Sequence, residues 1–257
     1  MRSRDRFEMS LHEAARLNRP DMVLALLEAG ADIERPDEEG RTPLCLAALY
    51  GSKETLKALI GAGADVNARI EHSTFVGAQR QQTGFLRQVI GTTALHLAAE
   101  VGRRYATPNG PDHLGCAQLL LASGSYVGAE ELTTETRMTA GVRCDEPHLA
   151  SSFVPLNYAG TSEMAKLLVA HRSPRNTSDS PIVSAVRMLE GSRGLDIAAF
   201  LFKEGYELTE GACAVMKWLG IPPGRLIHRA YEMRAGERHK RLERQLRQAS
   251  PGSRMRL

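Results

Sequence analysis

The chain has 257 residues, of which 42% are hydrophobic and only 5% aromatic, and it carries a formal net charge of +3. Scarce Phe, Trp and Tyr beside abundant Ala, Leu and Gly favour thin, closely stacked helices over the aromatic-rich core of an enzyme of this size. No run of about 18 apolar residues is present to cross a membrane, the start MRSRDRFEMS lacks the apolar stretch of a signal peptide, and Cys45, Cys116, Cys144 and Cys213 stand too far apart for a metal-ligand pair or a disulfide framework. The expectation is therefore a protein of a reducing, intracellular compartment, cytoplasmic or nuclear.

In chain order, residues 4–36 hold LHEAA at 11–15 and LLEAGAD at 26–32, with a polar turn at 18–21 between them. Residues 37–69 repeat that plan with a spacing of 33, from Leu11 to Leu44 and from Gly30 to Gly63. In this second unit Asp37 and Gly40 suit a tight turn, Thr42 is placed to cap a helix, and Pro43 fits the first helical position, where no amide hydrogen is needed. A short helix is predicted from Pro43 to about Tyr50, with Leu44, Ala47 and Ala48 at i, i+3, i+4 spacing on its buried stripe. Gly51 breaks it, and residues 53–62 supply a second helix with Leu56, Leu59 and Ile60 turned inward. Gly63 fits the left-handed position that closes that helix.

A fixed period of this size signals a repeat architecture. The lettering of the second unit resembles the ankyrin repeat, whose Thr-Pro-Leu-His, Ala-Ala, Gly, Leu-Leu and Gly-Ala-Asp-Val-Asn it matches nearly residue for residue. Cys45 replaces the His that in the family bonds neighbouring backbone. The resemblance implies an all-α solenoid of stacked helix-turn-helix units, and it can be followed with declining clarity along the chain. The third unit spans about 88–129, with GTTALHLAA at 91–99 and CAQLLLASG at 116–124. About 28 extra residues there divide between EHSTFVGAQRQQTGFLRQVI before it and RRYATPNGPDHL between its helices, both at loop positions. The fourth unit, about 147–176, is recognised by GTSEMAKLLVAH at 160–171; its first helix, SSFVPLNYA, has lost the signature, and Pro155 looks out of place in it. About 15 extra residues surround 130–144. The fifth unit, about 177–208, offers SPIVSAV and DIAAFLFKEG. These units make a repeat domain over 4–208, followed at 209–257 by a C-terminal helical cap, with helices near 210–219 and 225–248 broken by GIPPG, and a basic tail.

One unit of this kind cannot bury its own apolar face, so neighbours must stack and share a core. In the family the stacked hairpin loops and first helices form a concave groove that binds other proteins. Matching positions to the motif gives Arg16 and Leu17 in the first unit, Glu38, Glu39, Arg41, Leu49 and Tyr50 in the second, Thr92, Glu100 and Val101 in the third and Tyr158 in the fourth. Tyr50 and Tyr158 are the rigid, amphipathic kind of side chain enriched at interface hot spots, although each could equally cover its own neighbouring helix. The apolar insertion bearing Phe75, Phe85, Leu86, Val89 and Ile90 is expected to fold back on the groove or to grip a partner.

No nucleophile elbow, phosphate-binding glycine loop or paired metal ligands is found, so neither catalysis nor a metal or other cofactor is expected. His12 and His96 occupy the structural His position of the repeat, and CDEPH at 144–148 lacks a second pair of ligands. Residues 225–257 hold ten Lys and Arg against three Glu, a local charge of +7 that leaves the remainder at minus four. The expected function is a non-catalytic scaffold or adaptor, a monomer, binding a protein partner through its groove. The alternative is a nuclear or nucleic-acid-associated regulator whose basic terminal helix, with Leu242 and Leu246 in a narrow stripe, contacts nucleic acid, an acidic protein or a membrane surface.

Overall fold

The computed structural model describes residues 10–78, 83–101, 111–139, 142–143, 148–175, 180–188 and 192–249. It divides into two compact units, Met1–Asp179 and Ser180–Leu257.

In the first unit, helices come in pairs. α1 (Leu11–Arg16) and α2 (Pro20–Glu28) form the first, α3 (Pro43–Leu49) and α4 (Lys53–Gly61) the second, α5 (Ala94–Val101) and α6 (His113–Ala122) the third. The fourth pairs a single 3-10 turn (Pro155–Tyr158) with α7 (Ser162–Ala170). The first members pack in the order α1, α3, α5, 3-10 turn, and the second members in the order α2, α4, α6, α7, so two layers of helix run side by side. The local reasons repeat with the period. Ser10, Thr42 and Thr161 cap α1, α3 and α7 by accepting from the amides of Glu13, Cys45 and Met164. Ala14, Ala15, Ala47, Ala48, Ala98 and Ala99 are all fully buried, which lets the first helices approach closely. Leu56 and Leu59 of α4 are buried as the spacing predicts, whereas Ile60 is only half-buried and Thr55 takes the remaining inward position. Truncating Leu56 to Ala costs about 2–5 kcal/mol for a site this enclosed.

Neighbouring repeats are also tied through backbone. Glu34 Oε1 accepts from the Asp65 amide at 2.7 Å, and Asn67, one period later, accepts from the Tyr126 amide at 2.8 Å while its amide nitrogen donates to Gly124 O. The same register position thus makes the same inter-repeat bond with two different side chains.

The insertions are not loops. β1 (Ile70–Ala78) and β2 (Thr83–Thr92) form an antiparallel hairpin, and β2 pairs with β3 (Glu131–Thr139) from Ile90↔Leu132 to Gly84↔Met138. β4 (Val142–Arg143) and β5 (His148–Phe153) both pair with the other edge of β3, completing a five-stranded sheet. The hairpin loops of the third and fourth repeats have grown until they pair with each other. At the root of the hairpin the register slips between Ile70↔Thr92 and Glu71↔Ile90, leaving Gly91 unpaired at φ +93°. A glycine is required at this bulge, since a Cβ would lie 2.8 Å from the carbonyl oxygen of Glu130.

The unfavourable reading of Pro155 is corrected by its position. It stands first in the 3-10 turn, where no amide is needed, and Asn157 Oδ1 accepts from the Val154 amide at 3.0 Å, the bond that His96 Nδ1 makes with the Thr93 amide one repeat earlier. Val-Pro-Leu-Asn thus keeps the bond made by the last residue of Thr-Pro-Leu-His and lacks the Thr cap.

The second unit holds α8 (Pro181–Met188), α9 (Ser192–Lys203), α10 (Glu210–Trp218) and α11 (Pro223–Ala249). α9 packs on α8 and on α11, and α10 packs on α8, around Ile182, Ile197, Leu201, Met216 and Leu226. Thr209 caps α10 through the Ala212 amide, and Gly220 closes it at φ +71°.

Candidate protein-interaction surface

The hairpin turn of the second repeat is organised by one carboxylate. Asp37 Oδ1 accepts from the amides of Glu39 and Arg41 at 2.9 and 2.8 Å, and Oδ2 accepts from Arg41 Nε at 2.9 Å. Backbone bonds from Asp37 N to Arg41 O and from Gly40 N to Asp37 O close the turn. Partial burial by itself raises the Asp37 pKa, but the bonds and charge of Arg41 outweigh it and hold the carboxyl below its ordinary value. Arg41 also reaches Glu39 at 2.6 Å, so its guanidinium is shared between two carboxylates. Glu38 and Glu39 are exposed, and Arg41 is half-buried beneath them.

A second group gathers where the first helices end. The Arg16 guanidinium lies over the Tyr50 ring, 5.8 Å from its centroid, and Leu17 and Tyr50 are 47% and 42% exposed. Leu17 and Tyr50 are one period apart, as are Arg16 and Leu49, so α1 and α3 present the same two positions side by side. Leu49 is half-buried beside them. Glu100 is half-buried at the corresponding place on α5; Val101 closes that helix, and its side chain lies outside the described residues.

Two expected partner contacts are packing residues instead. Thr92 is only 2% exposed, and its hydroxyl donates to Glu131 Oε2 at 2.7 Å. Counting from a short hairpin puts Thr92 at an exposed tip, whereas the long hairpin brings it back to the root, opposite Ile70. Tyr158 is half-buried, donates to Glu131 Oε1, and sets its ring edge-on to His96 and Phe153. Val154 to Asn157 correspond to the capping signature, so Tyr158 falls on a core-facing register rather than that of Tyr50. Glu131, buried between Thr92 and Tyr158, joins the sheet to the helical stack and was not singled out by any motif.

The histidines at the signature position hold backbone. His12 Nε2 lies 2.8 Å from Arg35 O. His96 Nδ1 accepts from the Thr93 amide at 3.2 Å, which leaves the proton on Nε2, 3.4 Å from Phe153 O. Burial disfavours the imidazolium and lowers the His96 pKa to about 4. His113, at the start of α6, does similar work from a position outside the motif: its Nε2 is 3.2 Å from Leu49 O. Beside it Asp112 caps Gly115 N at 2.7 Å and pairs with Lys53 at 2.8 Å.

Among the described residues no group of three or more metal-capable side chains is assembled. The CDEPH segment falls largely outside them: 144–147 are not described, and only the backbone of His148 is. Burial raises the thiols of Cys45 and Cys116, the latter to about 12.

On α11, several charges serve the second unit's own packing. Arg229 pairs with Asp196 and Glu232 at 2.8 and 3.1 Å, Arg234 donates to Lys203 O, and Lys203 pairs with Glu237. Arg238, Lys240 and Arg241 are exposed, whereas the side chains of Leu242 and Leu246 lie outside the described residues.

Paired helices in two layers, a hairpin turn closed by Asp37 and a histidine, His96, placed against the next repeat's backbone are the architecture of stacked ankyrin repeats. Residues 3–70 match the family model for ankyrin repeats in three copies. Mouse NF-kappa-B inhibitor delta is similar to the chain, 31% identical over 144 residues that cover 56% of this chain and 42% of the relative. Human neurogenic locus notch homolog protein 4 is 43% identical over 68 residues, 26% of this chain and 3% of its own length, and the human homolog protein 2 is 34% identical over 116 residues, 39% and 5% respectively. The chain thus spans less than half the length of each of these relatives. Among the described residues, no helix is long and apolar enough to cross a membrane.

Proposed function

We propose that this chain is a non-catalytic adaptor, a monomer of the cytoplasm or nucleus, that binds one protein partner through the concave side of its first three repeats. Arg16 and Tyr50 carry the reading. A guanidinium laid over a half-exposed tyrosine, beside an exposed leucine at the same register of the adjacent repeat, is a pre-ordered amphipathic patch of the composition that dominates interface energetics. Glu38 and Glu39 supply a charged surface in the turn that precedes α3, at the opposite end of that helix from Tyr50, and Asp37 fixes the turn's backbone in advance, which reduces the ordering cost of binding. Glu100 extends the surface to the third repeat, while Thr92 and Tyr158 lie beneath it. The mouse relative is, by its name, an inhibitor of another protein, which supports the class of activity without naming a partner for this chain.

The test is capture of binding partners from cell extract by the intact chain and by a variant in which Glu39, Arg41 and Tyr50 are all changed to Ala. The expected result is loss of the captured protein with helical circular dichroism unchanged. Capture that survives all three changes sinks the assignment. The basic terminal helix is the weaker reading, because Arg229 and Arg234 are occupied within the second unit.

A further inference from the structure

The outer edge of β1 carries no paired strand among the described residues. Among the described residues β1 pairs with β2 alone, because the hairpin turn of the repeat before it is only five residues long, 37–41, and is closed on itself. That turn reaches the start of β1, where a Cβ on Gly40 would lie 2.8 Å from Glu71 O, and it is too short to follow the strand to Ala78. The next two hairpins are long and satisfy each other through β2 and β3. β1 therefore has a long-hairpin neighbour on one side only.

Exposed sheet edges are normally protected by Lys, Pro, a charge or a bulge that stops further pairing. Residues 72–78, HSTFVGA, contain no Lys, Arg, Asp, Glu or Pro, and their single register irregularity lies upstream, at Ile70/Glu71. The stretch itself thus carries none of these guards. The ground beside it is acidic. A cleft of about 590 Å³ separates the second repeat's turn from the strands, and Glu38, Glu39 and Glu71 line it together with Gln88 and Ile90. The neighbouring Arg41 guanidinium is already held by Asp37 and Glu39.

We propose that the β1 edge takes up an extended segment of a partner protein as a sixth strand, with β-branched residues along residues 73–78 and a Lys or Arg entering the acidic cleft. Backbone groups give such a contact its affinity, and the cleft sets its direction and charge preference. This goes beyond the adaptor reading, which rests on side chains at the ends of α1 and α3. A second copy of the chain is the poorer occupant, because pairing two β1 edges would bring two Glu71-bearing strands and their acidic turns onto one sheet.

The experiment pans the full chain against a randomised library of roughly ten-residue peptides, then measures the selected peptides by fluorescence anisotropy. The expected selection alternates β-branched residues and carries Lys or Arg. N-methylation of alternate peptide amides should abolish binding in one phase and spare it in the other, a signature of strand pairing that leaves the protein itself intact. Glu71→Lys should weaken binding roughly tenfold, while Tyr50→Ala leaves it unchanged. Selection of acidic or helix-patterned peptides, absence of any selection, or indifference to N-methylation overturns the proposal. So does a dimer in light scattering that Thr74→Pro dissociates, which would assign the edge to a second copy. Failure of the adaptor reading is separately visible, because there Tyr50→Ala would leave capture of the cellular partner intact.

Discussion

His96 offers a prediction in which the sign and size both come from its surroundings. The imidazole is buried, bonded on Nδ1 by the Thr93 amide and placed on Nε2 against Phe153 O, and its pKa is lowered from 6.5 to about 4. The unfolded chain therefore takes up this proton first as the medium is acidified, and stability drains away as pH falls from about 6.5 towards 4. A shift of about 2.5 units at about 1.4 kcal/mol each gives a full amplitude of about 3–4 kcal/mol, most of which is lost by about pH 4.5. His96→Gln removes that dependence while forfeiting well-placed buried bonds, a loss of about 1–3 kcal/mol near pH 7. Urea unfolding followed by far-ultraviolet circular dichroism, on both proteins at about pH 7 and about pH 4.5, should show the gap between them closing by about 2–3 kcal/mol. Asp37 and Asp112 do not confuse the comparison. Their depressed pKa values mean that the stability they contribute is lost only below the ordinary aspartate value of 3.8, and equally in both proteins. A gap of the same size at both pH values would refute the reasoning, since His96 would then be neither buried nor neutral in the folded chain.

Gly91→Ala forces a side chain into φ +93° and against Glu130 O, and a loss of about 1–3 kcal/mol should appear as a lower thermal midpoint. Asp112→Ala removes the cap on Gly115 N and the Lys53 pair together, costing about 1–2 kcal/mol, whereas Lys53→Met should cost under about 1 kcal/mol because that pair is solvent-exposed. Tyr158→Phe deletes the hydroxyl that donates to Glu131 and should lower stability by about 1 kcal/mol without changing partner capture. Tyr50→Ala should do the reverse, and denaturation and capture assays on the two variants separate these roles.

The helical repeats were legible because their determinants are local. Thr42 caps the helix that Pro43 begins, and Gly63 ends the next, at φ +94°, all within one period. The sheet was not legible, because Ile90 pairs with Leu132 and Glu131 with Phe153, across separations that no local period marks. Read singly, each insertion is a long loop of mixed polarity; read as neighbours on adjacent repeats, they are strands with partners. The bonds of Thr92 and Tyr158 to Glu131 escape a count by period for the same reason, since they depend on that sheet. The fourth repeat is disguised by its lettering: Asn157 accepts from the Val154 amide as His96 accepts from the Thr93 amide in the third repeat, while Val154 supplies no side-chain cap.

The same comparison shows how the chain divides its labour. The second repeat is linked to both neighbours by side chains at fixed register, Glu34 to Asp65 and Asn67 to Tyr126, and the ends of α1 and α3 remain exposed. Where the hairpins are long, the link is backbone to backbone along β2 and β3, and the inward side chains are taken up in joining sheet to helices through Glu131. Lengthening two neighbouring hairpins while leaving the second repeat's turn at five residues has a geometric consequence that neither change has alone. It creates a strand that, among the described residues, is paired along one edge only, adjoining an acidic turn whose own backbone is already closed. Extending residues 37–41 to match β1 would cover that edge from within, so the mismatch in hairpin length, rather than any single residue, is what keeps it available.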